Sequence, residues 1–184
     1  MRHISLRLIA AILGATVSLI SVGPARGKSN DEIIAFIRNA EDITLYSINP
    51  ETDEWRRSLG LKPNKPSPLF FVYPILGVVE GKSEALKEKL RKAALETVTP
   101  PLAGFSTKMM CFEPRHALKF KSGNQVLELI ICYECRSFIF GFNGRFLDEN
   151  EDGINFKSPA QADLNSILDE LKVPRDIPKR KVEK

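Results

Sequence analysis

The sequence predicts a single α+β domain, a mainly antiparallel sheet of about five strands with two principal helices packed on one face. Three observations predict it. Runs rich in β-branched and aromatic residues occupy 42–48, 69–81 and 118–142, and capped amphipathic patterns occupy 84–98 and 159–171. About 150 residues follow the amino-terminal leader, enough for one hydrophobic core and short for two.

The leader is residues 1–27. Arg2 and Arg7 precede an apolar run from Leu8 to Val22, and "GPARG" supplies small residues for cleavage after Ala25, so the pattern is that of a secretory signal. The apolar run is short of the roughly 20 residues a bilayer core requires, and no later segment is long and apolar enough to span, so no stable transmembrane segment is expected after cleavage. A cut after Ala25 removes Arg2 and Arg7, and setting aside all of residues 1–27, Arg26 included, takes the balance from 27 basic against 23 acidic side chains to 24 against 23. A nearly neutral domain argues against a nucleic-acid partner, which calls for a concentrated basic patch. An exported protein in the periplasm or outside the cell, with a protein or other envelope component as partner, is the expectation. Residues 28–174 form the domain and 175–184 a basic, flexible tail.

Within the domain, Ser29 and Glu32 make a capping box for a short helix whose apolar face is Ile33, Ile34, Ile37 and Ala40. "DITLYSI" (42–48) is a strand. The next twenty residues carry four prolines and much charge and read as a surface loop, pinned to the body by Trp55. "LFFVYPILGVVEG" (69–81) is a second strand region, broken or bent at Pro74 and Gly77. Ser83 caps the helix 84–98, where Glu88 and Lys92 are spaced to pair, and Pro100 ends it. In the last helix Ser158 is the expected N-cap, Pro159 the first helical residue and Gln161 the closing side of a capping box, with Pro174 as the stop.

Residues 117–135 read as a hairpin turning on Gly123 and Asn124. A two-residue turn sets Phe120 against Leu127 and Leu118 against Leu129 on one face and Lys119 against Glu128 on the other; a register slipped by one would oppose leucine to glutamate.

All three cysteines and the one histidine outside the leader lie in "CFEPRH" (111–116) and "CYEC" (132–135). In an unbent strand Cys132 and Cys135 point to opposite faces with Cα atoms about 10 Å apart, too far for the disulfide limit of about 7 Å. A bulge at Pro114 instead brings Cys111 opposite Cys135, which makes that pair the expected disulfide and leaves Cys132 as an odd thiol. The rival is zinc held by Cys111, His116, Cys132 and Cys135, a complete tetrahedral Cys3His set if the long run bends near Tyr133. A third reading is thiol chemistry with His116 as base, and a fourth leaves Cys135 as a core side chain and His116 as a hydrogen-bonded neighbour. Glu113, Glu134, Arg115 and Arg136 are expected to form ion pairs nearby. Separately, Asp148, Asn150 and Asp152 match the opening of a calcium loop, with proline where the twelfth-position glutamate belongs. Zinc, and behind it calcium, are the cofactor candidates. No nucleotide-binding or hydrolase motif is present, so the sequence leans away from an enzyme.

The strand end "LYSINPE", the core "CFEPRHAL" with "LELIICYEC", and the closing "SPAQADLNSILDELKVP" resemble a group of small, exported, uncharacterised bacterial proteins with a CFxPRH and ICxEC core. The resemblance spans about 42–174. It implies a shared fold centred on Cys111, Pro114, Arg115, His116, Cys132, Glu134 and Cys135, and it implies no activity.

Overall fold

The computed structural model describes residues 29–99, 112–146 and 159–176. The expected signal segment, Cys111, the calcium-loop candidate Asp148, Asn150 and Asp152, the expected N-cap Ser158, and the tail beyond Asp176 lie outside these residues. Eleven elements follow in order: α1 (Asn30–Asn39), β1 (Asp42–Ile48), α2 (Asp53–Ser58), β2 (Leu69–Phe70), β3 (Tyr73–Glu80), α3 (Glu84–Val98), β4 (His116–Ser122), β5 (Gln125–Cys132), β6 (Ser137–Phe142), β7 (Arg145–Phe146) and α4 (Ala160–Glu170). The class is α+β, with seven antiparallel strands among the described residues in place of about five, and four helices there where two principal ones are expected.

The sheet order is β2-β3-β1-β4-β5-β6-β7. The first strand is therefore central: Thr44 pairs with Glu80 of β3 on one side and Lys119 of β4 on the other. Because β3 and β4 flank β1, the chain must cross the sheet between them, and α3 makes that crossing. The rest is a meander. Leu118 opposes Leu129 and Lys119 opposes Glu128, the register required by the alternation of faces. Gly123 takes φ 54° at the turn, and the β6–β7 turn uses Asn143 and Gly144 at φ 50° and 74°, the two left-handed positions of a type I′ hairpin.

One face of the sheet buries Ile43, Leu45, Leu118, Phe120, Leu127 and Leu129 against α1, α3 and α4, which contribute Ile37, Leu90, Leu164 and Leu168, all fully buried. Ser29 and Glu32 form the reciprocal capping box at α1, and Ser83 accepts from Leu86 N–H at α3. Glu88 is joined by Arg91 and Lys92 turns to Glu96, so the spacing of Glu88 with Lys92 is not used. At α4 the N-cap is Pro159, with no side-chain cap bond. That helix ends in a Schellman motif: Lys172 sits at φ 55°, its N–H reaching Asp169 O, and Val173 N–H reaches Leu168 O at 2.8 Å.

The 49–68 connection contains α2, capped by Thr52, and Trp55 on it is 44% exposed, so this indole does not pin the loop. The 69–81 region is two strands, not one bent strand. Pro74 lies inside β3; the break falls at Phe71 and Val72, and the only irregularity against β1 is the shift beside Gly77. The tail is also anchored at its start: Arg175 pairs with Asp169 at 2.7 Å and Asp176 with Arg115 at 2.8 Å.

The sheet curls into a half-barrel. In a flat sheet β3 and β6 would stand about 19 Å apart, four strand spacings. Instead Phe71, in the β2–β3 turn, lies against Gly141 of β6 and stacks on Phe146 of β7, ring centroids 4.3 Å apart. The two edges of the sheet thus meet across the helix-free face.

Candidate functional site

The cysteine and histidine motifs come together at one end of the sheet and separate into three local arrangements. β5 stops at Cys132, and Tyr133 to Arg136 form a four-residue turn that returns the chain so that Cys132 pairs with Ser137. The bend brings the Cα atoms of Cys132 and Cys135 to 5.2 Å, and these two cysteines form the disulfide. The expected Cys111–Cys135 bond is corrected on this point: Cys135 is bonded to Cys132, because the strand ends where an unbent strand was assumed to continue. Cys135 N–H donates to Cys132 Sγ at 3.1 Å and Glu113 N–H to Cys135 Sγ at 3.3 Å.

Arg115 makes the second arrangement. Its guanidinium, 11% exposed, meets Glu134 at 2.9 Å, Asp176 at 2.8 Å and Glu113 at 3.6 Å. One side chain thereby joins the "PRH" segment, the disulfide turn and the chain beyond α4. The polar group expected from Glu113, Glu134 and Arg115 is present.

His116 is the third. It shares its face with Leu118 and Phe120, beneath α4, and is 3% exposed. Its Nε2 lies 2.9 Å from Asn165 Oδ1, and its ring meets Tyr133 edge-on. Burial drives the imidazole down to about 4 against the opposing Asn165 hydrogen bond, with Arg175 and Arg115 adding to the fall. The Tyr133 phenol, held up chiefly by burial, lies 2.8 Å from Thr97 Oγ1. Across the register from His116, Ser47 is fully buried and its hydroxyl has no hydrogen-bond partner. His116, Cys132 and Cys135 do not converge as metal ligands; among the described residues no three such side chains do.

The concave face of the half-barrel is the site the sequence does not announce. Register places Glu80, Thr44, Lys119, Glu128 and Gly141 in one row across five strands, with Val78, Tyr46, Ala117, Ile130 and Ile139 in the next. A cavity of about 310 Å³ opens here among Tyr46, Phe70, Phe71, Ile75, Lys119 and Glu128. A groove of about 450 Å³ adjoins it through Tyr46 and Lys119 and extends past Thr44 and Glu80 to Lys82, Lys87 and Lys121.

Two features mark the cavity as built. Phe71 holds φ 53°, a left-handed conformation that costs a bulky residue on the order of 1–2 kcal/mol, and this places its ring over the face. Beneath it, Glu128 Oε2 is buried without a hydrogen-bond partner. Gly141 makes room for both: a Cβ there would stand 2.6 Å from Phe71 Cζ and 3.0 Å from Glu128 Oε2. Tyr46 is raised above its ordinary value, first by burial and then by Glu128 and Glu80, so its phenol faces carboxylates as an uncharged donor. The usable signals are the Asn143-Gly144 dipeptide, which announces the closing hairpin, and the Lys119–Glu128 pair on the second face of the β4–β5 hairpin.

Fold and site together define an α+β half-barrel with a disulfide turn at one end and an aromatic, charged concavity on its open face. Compared with protein-family models, curated proteins and solved structures, the chain matches none.

Proposed function

We propose that this is an exported, non-enzymatic binding domain of the cell envelope, stapled by the Cys132–Cys135 disulfide, that holds a small ligand in the concave face of its half-barrel. The observation that carries the reading is the strained Phe71 ring closed over an unpaired buried carboxylate oxygen in a 310 Å³ cavity. Backbone strain and an unpaired buried oxygen both cost stability, and a fold that keeps the two side by side in one cavity is spending it on recognition. The leader supports export, and the resemblance to small exported bacterial proteins is in keeping with it.

The test uses the secreted, purified protein and the dye anilinonaphthalene sulfonate. The expected result is a saturable, single-site fluorescence rise, abolished by Ile75→Trp, which fills the cavity beside Phe70 and Phe71. Linear, non-saturating uptake, or equal binding by a folded variant, would remove the concavity as a binding site. Cleavage after Ala25 predicts a mature chain beginning at Arg26 in the exported fraction; a cytoplasmic, full-length chain would remove the envelope assignment.

The alternative reading is a zinc-binding or thiol-dependent protein using Cys111, His116, Cys132 and Cys135. It draws on the two backbone N–H groups aimed at the Cys132 and Cys135 sulfurs, which would stabilise thiolates after reduction. Native mass spectrometry separates the readings. A species two hydrogens light that takes one alkyl group on denaturation fits the disulfide; one zinc with three alkylatable cysteines fits the alternative.

A further inference from the structure

We propose that the ligand of the concave face is a free α-amino acid with an apolar side chain, its ammonium on Glu128 and its carboxylate on Lys119. This rests on the reading of the concavity as a binding site. Three features each call for one part of such a molecule.

Glu128 Oε2 is buried in the cavity wall without a hydrogen-bond partner, and a charged acceptor out of water is satisfied best by a cationic donor. Lys119 stands directly opposite Glu128 in the register of β4 and β5, with Cβ atoms about 5 Å apart at such a pair. Opposite charges on two directly facing side chains complement the adjacent ammonium and carboxylate of one α-amino acid. Lys119 also begins the groove that continues to Lys121, where four lysines stand against Asp42 and Glu80 and leave an excess of positive charge for an anion. The remaining wall, Tyr46, Phe70, Phe71 and Ile75, is aromatic and aliphatic and takes an apolar side chain.

Other ligand classes use the site less completely. A simple amine leaves the lysine groove unmatched, and a fatty acid or other apolar anion leaves Glu128 unpaired beside its own negative charge. In the unliganded protein Glu128 Oε2 has no hydrogen-bond partner, so the ligand's ammonium displaces no protein group from it.

Calorimetric titration of the secreted protein with L-phenylalanine, phenethylamine and 3-phenylpropionate tests this directly. The zwitterion is expected to bind at least 10-fold more tightly than either singly charged analogue. Glu128→Gln should weaken L-phenylalanine about 10-fold and leave 3-phenylpropionate unchanged or improved; Lys119→Met should weaken L-phenylalanine and spare phenethylamine. The two variants act on opposite analogues, so a general loss of structure cannot imitate the pattern, and near-ultraviolet circular dichroism checks each fold. Saturable dye binding without L-phenylalanine binding would overturn this inference and leave the binding site standing; loss of both would remove the site itself. Equal affinity for all three compounds, or a Glu128→Gln variant that binds L-phenylalanine normally, also overturns it.

Discussion

His116 is the residue whose chemistry is best defined. The unfolded chain protonates it near 6.5 and the folded protein only near 4, so between those values the unfolded state carries the extra proton. The contribution is fully present above pH 6.5 and is lost as pH falls toward 4. The difference corresponds to roughly 3 kcal/mol at 1.36 kcal/mol per unit. Urea denaturation at pH 7 and pH 4 should show the wild type losing about 2–3 kcal/mol more than His116→Gln, and parallel losses would place the acid sensitivity elsewhere. The disulfide is a second residue-scale staple. It closes a loop of only four residues, so replacing Cys132 and Cys135 by alanine should cost about 2 kcal/mol in the same assay. A variant as stable as the wild type would show that the Arg115 ion pairs alone hold the turn.

At the scale of elements, the strands and caps were legible where a single local rule governs them. β1 and α3 fall where the β-branched run and the Ser83 cap put them, and the β4–β5 register follows from leucine facing leucine. The β5–β6 turn was legible only in the excess length of the 126–142 run, which allows a bend near Tyr133; "YECR" itself contains neither glycine nor proline nor asparagine. Its left-handed position is filled by Arg136 at φ 55°, and its closure depends on a bond between two cysteines that a continuous strand would keep apart. The β2–β3 turn hid for the same reason, with Phe71 in the left-handed place.

Lys172 is a third such residue, and there the conformation serves only the end of α4. Lys172→Gly is expected to raise stability by about 1 kcal/mol, read as a higher urea midpoint; no gain would show that the lysine is not strained. Gly141→Ala should do the reverse, costing about 1–3 kcal/mol because Phe71 and Glu128 occupy the space, and it should weaken dye binding as the ring is displaced. Unchanged stability would mean that Phe71 does not lie against β6.

Across the whole molecule, the candidate site was less legible than the fold. Each side chain of the concavity reads as ordinary surface in sequence: Lys119 and Glu128 as a cross-strand ion pair, Tyr46 as a strand residue, Phe71 as part of an apolar run. Only the curl of the sheet, which carries Phe71 across to Gly141, puts them in one cavity, and curl is a property of many strands together. The motif residues drew attention because cysteine and histidine are rare here, yet their structural yield is a joint that fixes one end of the barrel. Phe146→Ala tests how far closure depends on the edge-to-edge stack: thermal stability should fall modestly, since the ring is 56% exposed, while dye binding should weaken more. Equal effects on both would make the stack a general packing contact.

The central place of β1 has a consequence for how the chain acquires its fold. Both edges of this strand wait for partners made much later, β3 from residue 73 and β4 from residue 116. A chain emerging amino-end first from a ribosome therefore presents "ITLYSI" with open backbone on both sides until Phe120 has appeared. The sheet cannot be built by accretion; it assembles when most of the domain is available, which keeps a nascent chain unfolded and makes the first strand the segment that needs shielding until then.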